Sequence, residues 1–252
     1  MDDGNRFNYK MVWENQAKDV HPPLYYCLVH TVCSLFPGVF SRWFAGIINV
    51  IFGLLSLYVL RKLAFNLTQS EEFKLIASIG FILSACILSE MTMLRMYIVA
   101  LFCVSFVTNL LVEQMDKGAN AKFYCELFSV TLLGALTHYY FLIYLAFLSA
   151  TYCIYLLHMK RIREMLTYVV IMACDAACAL LLFPQMLNHM FAGYRGKQVL
   201  DNLMQASDFK ERLSFFLCLA RQKTDGWIFK YYSYRNPDRS FLFTSIRETR
   251  TD

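Results

Sequence analysis

Charge-free runs alternate with short charged breaks along most of this chain. Trp43 to Leu60 lies uncharged between Arg42 and Arg61, Leu75 to Leu94 contains only Glu90, and Met96 to Val112 runs uncharged from Arg95 to Glu113. Leu127 to Met159 carries no formal charge, and Met165 to Met190 is interrupted only by Asp175. About 20 apolar residues, rising about 1.5 Å each, cross the hydrocarbon of a bilayer. Leu127 to Met159 is 33 residues long, about 50 Å as one helix, which exceeds a single crossing. It therefore predicts two spans, over about 122–137 and 139–158, folded back at the polar break Thr137 to Tyr140. The pattern predicts about six spans in all. Before them, Leu24 to Phe36 is apolar but only about 20 Å long as a helix. It is preceded by Pro22 and Pro23, which suit a first helical turn, and closed by Pro37-Gly38. This predicts a juxtamembrane helix lying along one surface.

The expected fold is an all-α polytopic transmembrane bundle. Residues 1–41 form an outer loop with the juxtamembrane helix, 42–190 the bundle, and 191–252 a polar, basic C-terminal segment. Composition agrees: 58% of the 252 residues are hydrophobic and 17% are charged, against roughly a quarter charged in soluble domains. The mean hydropathy of +0.41 excludes an ordinary soluble helical domain.

Loop charge orients the spans. Arg61, Lys62, Lys74, Lys117, Lys122, Lys160, Arg161 and Arg163 fall on one side, whereas Arg95 is the single basic residue in the opposite loops. The positive-inside rule makes the first side cytoplasmic. The basic segment after Met190 opposes that orientation, although long terminal segments count little in the rule.

Asp19, His21, Glu90, Arg95, Tyr97, His138 and Tyr139 then all fall on the outer side. Singly they have plain readings: Arg95 as a snorkelling anchor, the tyrosines as an aromatic belt, His138 as a polar turn residue. Together, ionisable groups at one end of a bundle point to a site or pathway. The series "DVHPPLYYCLVH" from Asp19, then "RMY" from Arg95 and "THYY" from Thr137 resembles the multispan GT-C glycosyltransferases of the protein O-mannosyltransferase-like kind. The resemblance covers about residues 7 to 190. It implies transfer of a sugar from a polyprenyl-phosphate carrier to an acceptor at the outer face of a bacterial plasma membrane. It also implies that His21 and Arg95 lie near the carrier phosphate, with Tyr97, His138 and Tyr139 lining the cavity. The acceptor is a protein, lipid or envelope polysaccharide, and no cofactor is specified. Asp19 and Glu90 are the candidate catalytic carboxylates.

The chain departs from that family in two respects. Met93 stands where relatives carry an acid two positions before the arginine of "RMY". The family's principal carboxylate also follows an initial transmembrane helix, whereas this chain begins "MDDGNRFNYK". It is therefore expected to be a partial or frameshifted gene product, inactive by itself. The rival reading is a non-enzymatic transporter or scaffold with the mid-span carboxylate Asp175 as its pathway residue, or with Asp175 a relic of lost selection. No metal-ligand spacing, phosphate loop or nucleic-acid motif is present. The nine cysteines are read as apolar filling.

Overall fold

The structure, a computed structural model, describes residues 3–39 and 41–192, so the expected basic segment 191–252 lies almost wholly outside the described residues. Among the described residues the secondary structure is helical, with no strand. After α1 (Tyr9–Ala17) and α2 (Leu24–Leu35) come α3 (Trp43–Thr68), α4 (Glu71–Leu83), α5 (Ala85–Thr92) and α6 (Tyr97–Lys117). There follow α7 (Ala121–Ala135), α8 (Tyr139–His158) and α9 (Ile162–Leu182), then a short turn and a π-helical segment, Asn188–Ala192.

Side chains at the breaks explain why the helices start where they do. Ser70, Asn120 and His138 each cap a helix by accepting an amide hydrogen bond, from Phe73 at 3.1 Å, Phe123 at 2.9 Å and Tyr140 at 3.1 Å. Gln69 closes α3 in the left-handed region at φ 53°, and Gly118 follows α6 at φ 75°.

Four helices are long and apolar enough to cross a membrane: Trp43–Thr68, Tyr97–Met115, Tyr139–His158 and Ile162–Leu182. Glu71–Leu83 with Ala85–Thr92 supplies a fifth if the bent pair is one span. This arrangement is compatible with a multi-pass integral membrane protein.

Three of the expected spans differ in detail. The run Leu75 to Leu94 is bent by 53° at Ser84, where the backbone is extended (φ −67°, ψ 116°). There the Ser84 hydroxyl accepts from the Ile87 amide and starts a new helix instead of continuing the old one. The segment expected over 122–137 is a helix of 15 residues, about 22 Å and short of the roughly 30 Å hydrocarbon. The last span begins at Ile162, ahead of the charge-free run, and stops at Leu182 before the Pro184, Gln185 and Asn188 expected to end it, because Pro184 forces Phe183 into an extended conformation (φ −136°, ψ 78°).

With the bent pair α4–α5 counted as one element, the helices from α3 onward run alternately up and down, and three apolar clusters hold them. Val107, Leu127, Phe141, Leu156 and Tyr168 knit α6, α7, α8 and α9 together. Tyr25, Ile48, Met96, Ile98 and Val99 join α2 to α3 and to the start of α6. Leu136, Ala179, Phe183 and Met186 receive Trp13 and Ala17 of α1. At the α7–α8 turn the helices approach so closely that a Cβ on Gly134 would lie 2.5 Å from Phe141 Cζ. Large apolar side chains remain exposed on the span-length helices, including Phe147, Ile154 and Leu181. That is the pattern of helices whose outer faces meet lipid.

Candidate functional site

Up-and-down topology brings the starts of α3, α6 and α8 and the ends of α5, α7 and α9 to one end of the bundle, where α1 and α2 also dock. The "DVHPP" stretch is a joint there. Pro23 caps α2, its carbonyl accepts from the Cys27 amide at 3.0 Å, and both prolines are buried. The Leu24 amide, which a helix start leaves without an internal partner, donates to the Leu136 carbonyl at the end of α7 at 3.0 Å. The most rigid stretch of the chain is therefore locked onto the turn that carries His138.

Around His138 the predicted residues come together. Its ring centroid lies 5.7 Å from that of His21, 5.3 Å from Tyr97 and 4.8 Å from Tyr140. His138 Nδ1 accepts from the Tyr140 amide, which leaves the proton of the neutral imidazole on Nε2. Burial and the neighbouring charge of His21 hold this imidazole below its ordinary pKa of 6.5. Asp19 and Arg95, both exposed, lie close enough to Tyr26 for their charges to act on its phenol. The Tyr26 phenol is pushed up by burial and by the negative charge of Asp19, while the Arg95 guanidinium opposes the shift. Asp19, His21, Tyr26, Arg95, Tyr97 and His138 thus form one polar cluster drawn from three distant stretches of sequence.

Arg95 is positioned by a residue that the sequence reading passed over. Asn49, fully buried in α3, accepts from the Tyr25 hydroxyl at 3.1 Å and donates through Nδ2 to the Met93 carbonyl. One amide therefore ties α2, α3 and the turn leading to Arg95. A signal was present: a carboxamide inside an uncharged run needs a partner in hydrocarbon. Tyr140 gave less warning, because "THYY" holds adjacent tyrosines and only the helix decides which one meets His138: it is the exposed Tyr140, while Tyr139 is half-buried.

Two predicted residues stand apart from the cluster. The Tyr139 hydroxyl lies 2.8 Å from His189 Nδ1, and His189 Nε2 lies 3.1 Å from the Ala17 carbonyl. Tyr139 thereby braces α8 against α1 and the segment after α9, and its neighbour Tyr140 takes the place beside His138. Glu90 sits on α5 with Oε2 buried and without a hydrogen-bond partner among the described residues. Asp175 is buried on α9 beside the Thr131 hydroxyl of α7, and its Oδ1 has no partner among the described residues.

The opposite end is basic and extensively paired. Lys62 meets Glu113 at 2.6 Å, and Glu113 also accepts from Asn66 and Asn109, each at 3.0 Å. Arg161 donates to Glu164 at 2.9 Å and to the Met115 carbonyl at 2.8 Å. Two cavities lie at this end. One of about 570 Å³ is flanked by Lys117, Asn120 and Arg163, and one of about 590 Å³ lies between α3 and α4.

No known protein family, curated protein or solved structure matches this chain. The chemistry of the cluster is therefore read from its geometry. It combines an exposed carboxylate, a guanidinium, a histidine held neutral with an N–H to donate, a second histidine and tyrosine hydroxyls. Such a set has the chemistry to bind a phosphate and to accept a proton from a hydroxyl. Among the described residues no three His, Cys, Asp or Glu side chains converge in a way that could hold a metal ion.

Proposed function

We propose that this chain carries the carrier-binding end of an integral-membrane glycosyltransferase of the GT-C kind, which moves a sugar from a polyprenyl phosphate to an acceptor hydroxyl. The observation that supports it is the convergence of Asp19, His21, Arg95, Tyr97 and His138 at the end of the bundle opposite the basic loops. On this reading α7 is a sixth span, shortened where the bundle covers it, and α2 lies along the outer interface. The cluster then faces outward under the positive-inside rule.

The reaction forms a bond from the acceptor oxygen to the anomeric carbon and breaks the bond from that carbon to the phosphate oxygen. Asp19 takes the acceptor proton as general base. The departing phosphate keeps the bonding electron pair, and Arg95 with the Nε2–H of His138 stabilises its charge. Phosphate is a good leaving group without a proton, so no general acid is needed. Glu90, half-buried and unconnected to the cluster, has no part in this scheme.

The test is carrier binding by residues 1–252 in lipid nanodiscs, using a labelled polyprenyl-phosphate sugar. Arg95→Ala is expected to weaken retention by roughly ten- to a hundredfold, as for loss of a charge-assisted contact of about 1.5–3 kcal/mol. Arg95→Lys restores it only partly, because a point charge does not reproduce the planar fork. Unchanged retention in the alanine variant would reduce Arg95 to an interfacial anchor and remove the phosphate site.

A further inference from the structure

Helix α3 carries a depth marker at each end. Trp43 opens it with 69% of its surface exposed, and Arg61 and Lys62 follow the apolar run. From Trp43 to Arg61 the helix rises about 27 Å, close to the roughly 30 Å of bilayer hydrocarbon. With Trp43 at one interface, Arg61 and Lys62 reach the headgroups of the other leaflet. At that level lies the cavity of about 590 Å³ between α3 and α4. Its wall toward the bilayer interior is Leu54, Leu57 and Tyr58, and its mouth holds Arg61, Lys62 and Lys74 with one carboxylate, Glu71.

The three cations are differently engaged. Lys62 is held from behind by Glu113, outside the cavity lining. Lys74 pairs with Glu71 and lies 5.3 Å from the centre of the Phe65 ring. Arg61 is exposed and makes no ion pair or hydrogen bond among the described residues. A planar, weakly hydrated guanidinium at headgroup depth, above an apolar wall one to two turns deeper, matches a phosphate joined to acyl chains.

We infer that this cavity binds an anionic glycerophospholipid of the adjacent leaflet, with its phosphate on Arg61 and Lys74 and an acyl chain along Leu54, Leu57 and Tyr58. Charge selects the lipid: with Lys62 matched by Glu113 and Lys74 by Glu71, Arg61 leaves the mouth net positive and favours a headgroup with net negative charge, whereas a choline headgroup brings its own cation to the same place. Basic clusters at the end of a span attract anionic lipid at about 1 kcal/mol per residue. The site lies at the end opposite the Asp19–His138 cluster, so it stands or falls independently of glycosyl transfer.

The experiment uses the full chain in detergent, titrated separately with phosphatidylglycerol, phosphatidylcholine and inorganic phosphate. It reads the lipid adduct retained in native mass spectrometry together with the melting temperature. Phosphatidylglycerol is expected to be retained and to raise the melting temperature, and the other two are not. Arg61→Gln weakens retention about fivefold, and Arg61→Gln with Lys74→Gln about thirtyfold. Glu71→Gln, which removes the one anion at the mouth, strengthens retention and keeps the test decisive if the double variant misfolds. Lys117→Gln with Arg163→Gln, at the other basic cavity, leaves retention unchanged. Equal retention of phosphatidylcholine, an equal thermal shift from inorganic phosphate, or no response to Arg61→Gln and Glu71→Gln would overturn the inference.

Discussion

Asn49 is the single side chain on which the geometry of the proposed site most depends. Replacing it by Leu keeps the branching and the number of side-chain heavy atoms, so the hydrogen bonds are lost without a cavity being opened. Two bonds are lost: the one received from the Tyr25 hydroxyl at 3.1 Å and the one given to the Met93 carbonyl. Tyr25 is 2% exposed and Asn49 fully buried, so the Tyr25 hydroxyl has no water to replace its partner. An orphaned buried polar group costs about 1–3 kcal/mol, and hydrogen bonds measured within membrane helices average nearer 0.6 kcal/mol. The Met93 carbonyl keeps the bond it receives from the Arg95 amide at 2.8 Å, so the Tyr25 hydroxyl is the one orphaned group, and the loss is about 1–3 kcal/mol, or about 3–9 °C in the melting temperature of a protein this size. Release of the Met93 carbonyl also frees the turn that carries Arg95, so carrier retention should fall even at temperatures where the bundle stays folded. The assay is thermal unfolding in detergent for Asn49→Leu, Tyr25→Phe and the double variant. Because the two residues are directly bonded, the double variant should lose less than the sum of the singles by about 0.5–1.5 kcal/mol. A melting temperature for Asn49→Leu within about 2 °C of the parent, or strict additivity with Tyr25→Phe, would refute the claim that this amide joins α2, α3 and the Arg95 turn.

Other residues give further outcomes. Because His138 is held below its ordinary 6.5, the unfolded chain binds its proton first as pH falls. Stability should therefore be full above 6.5 and decline below it toward the depressed folded value. His138→Asn, which keeps a capping acceptor, should flatten that decline in thermal melts across pH. Gly134→Ala places a Cβ against the Phe141 ring and should cost about 1–3 kcal/mol by chemical denaturation, with recovery when Phe141→Leu is added. Tyr139→Phe removes the bond to His189 and should cost about 1 kcal/mol of stability while leaving carrier retention unchanged, as a brace outside the cluster would. In a background with the nine cysteines replaced, single cysteines at Thr92 and Tyr140 should label from outside, and those at Arg61 and Arg163 should not. Outside labelling at Arg163 would reverse the proposed orientation.

The element plan was legible in the sequence because it depends on local pattern. Charge-free runs set α3, α6, α8 and α9, and two prolines before Leu24 started α2, since hydrocarbon burial and proline's fixed φ act residue by residue. The expectation that Asp19, His21, Arg95, Tyr97 and His138 share one end followed from the same counting of spans. Pro184 marked the end of the last span in the sequence itself, whereas pattern alone did not reveal the break at Ser84, where a short side chain interrupts a run that hydropathy reads as continuous. Nor could it choose between adjacent tyrosines. Near 100° of helix rotation separates Tyr139 from Tyr140, and packing against Ala17 and His189 decides that Tyr139 braces the fold while Tyr140 meets His138. The role of Asn49 belongs wholly to the tertiary structure, because its partners lie 24 and 44 residues away. A polar group in an apolar run announces that it needs a partner, but only the packed bundle determines which one it meets.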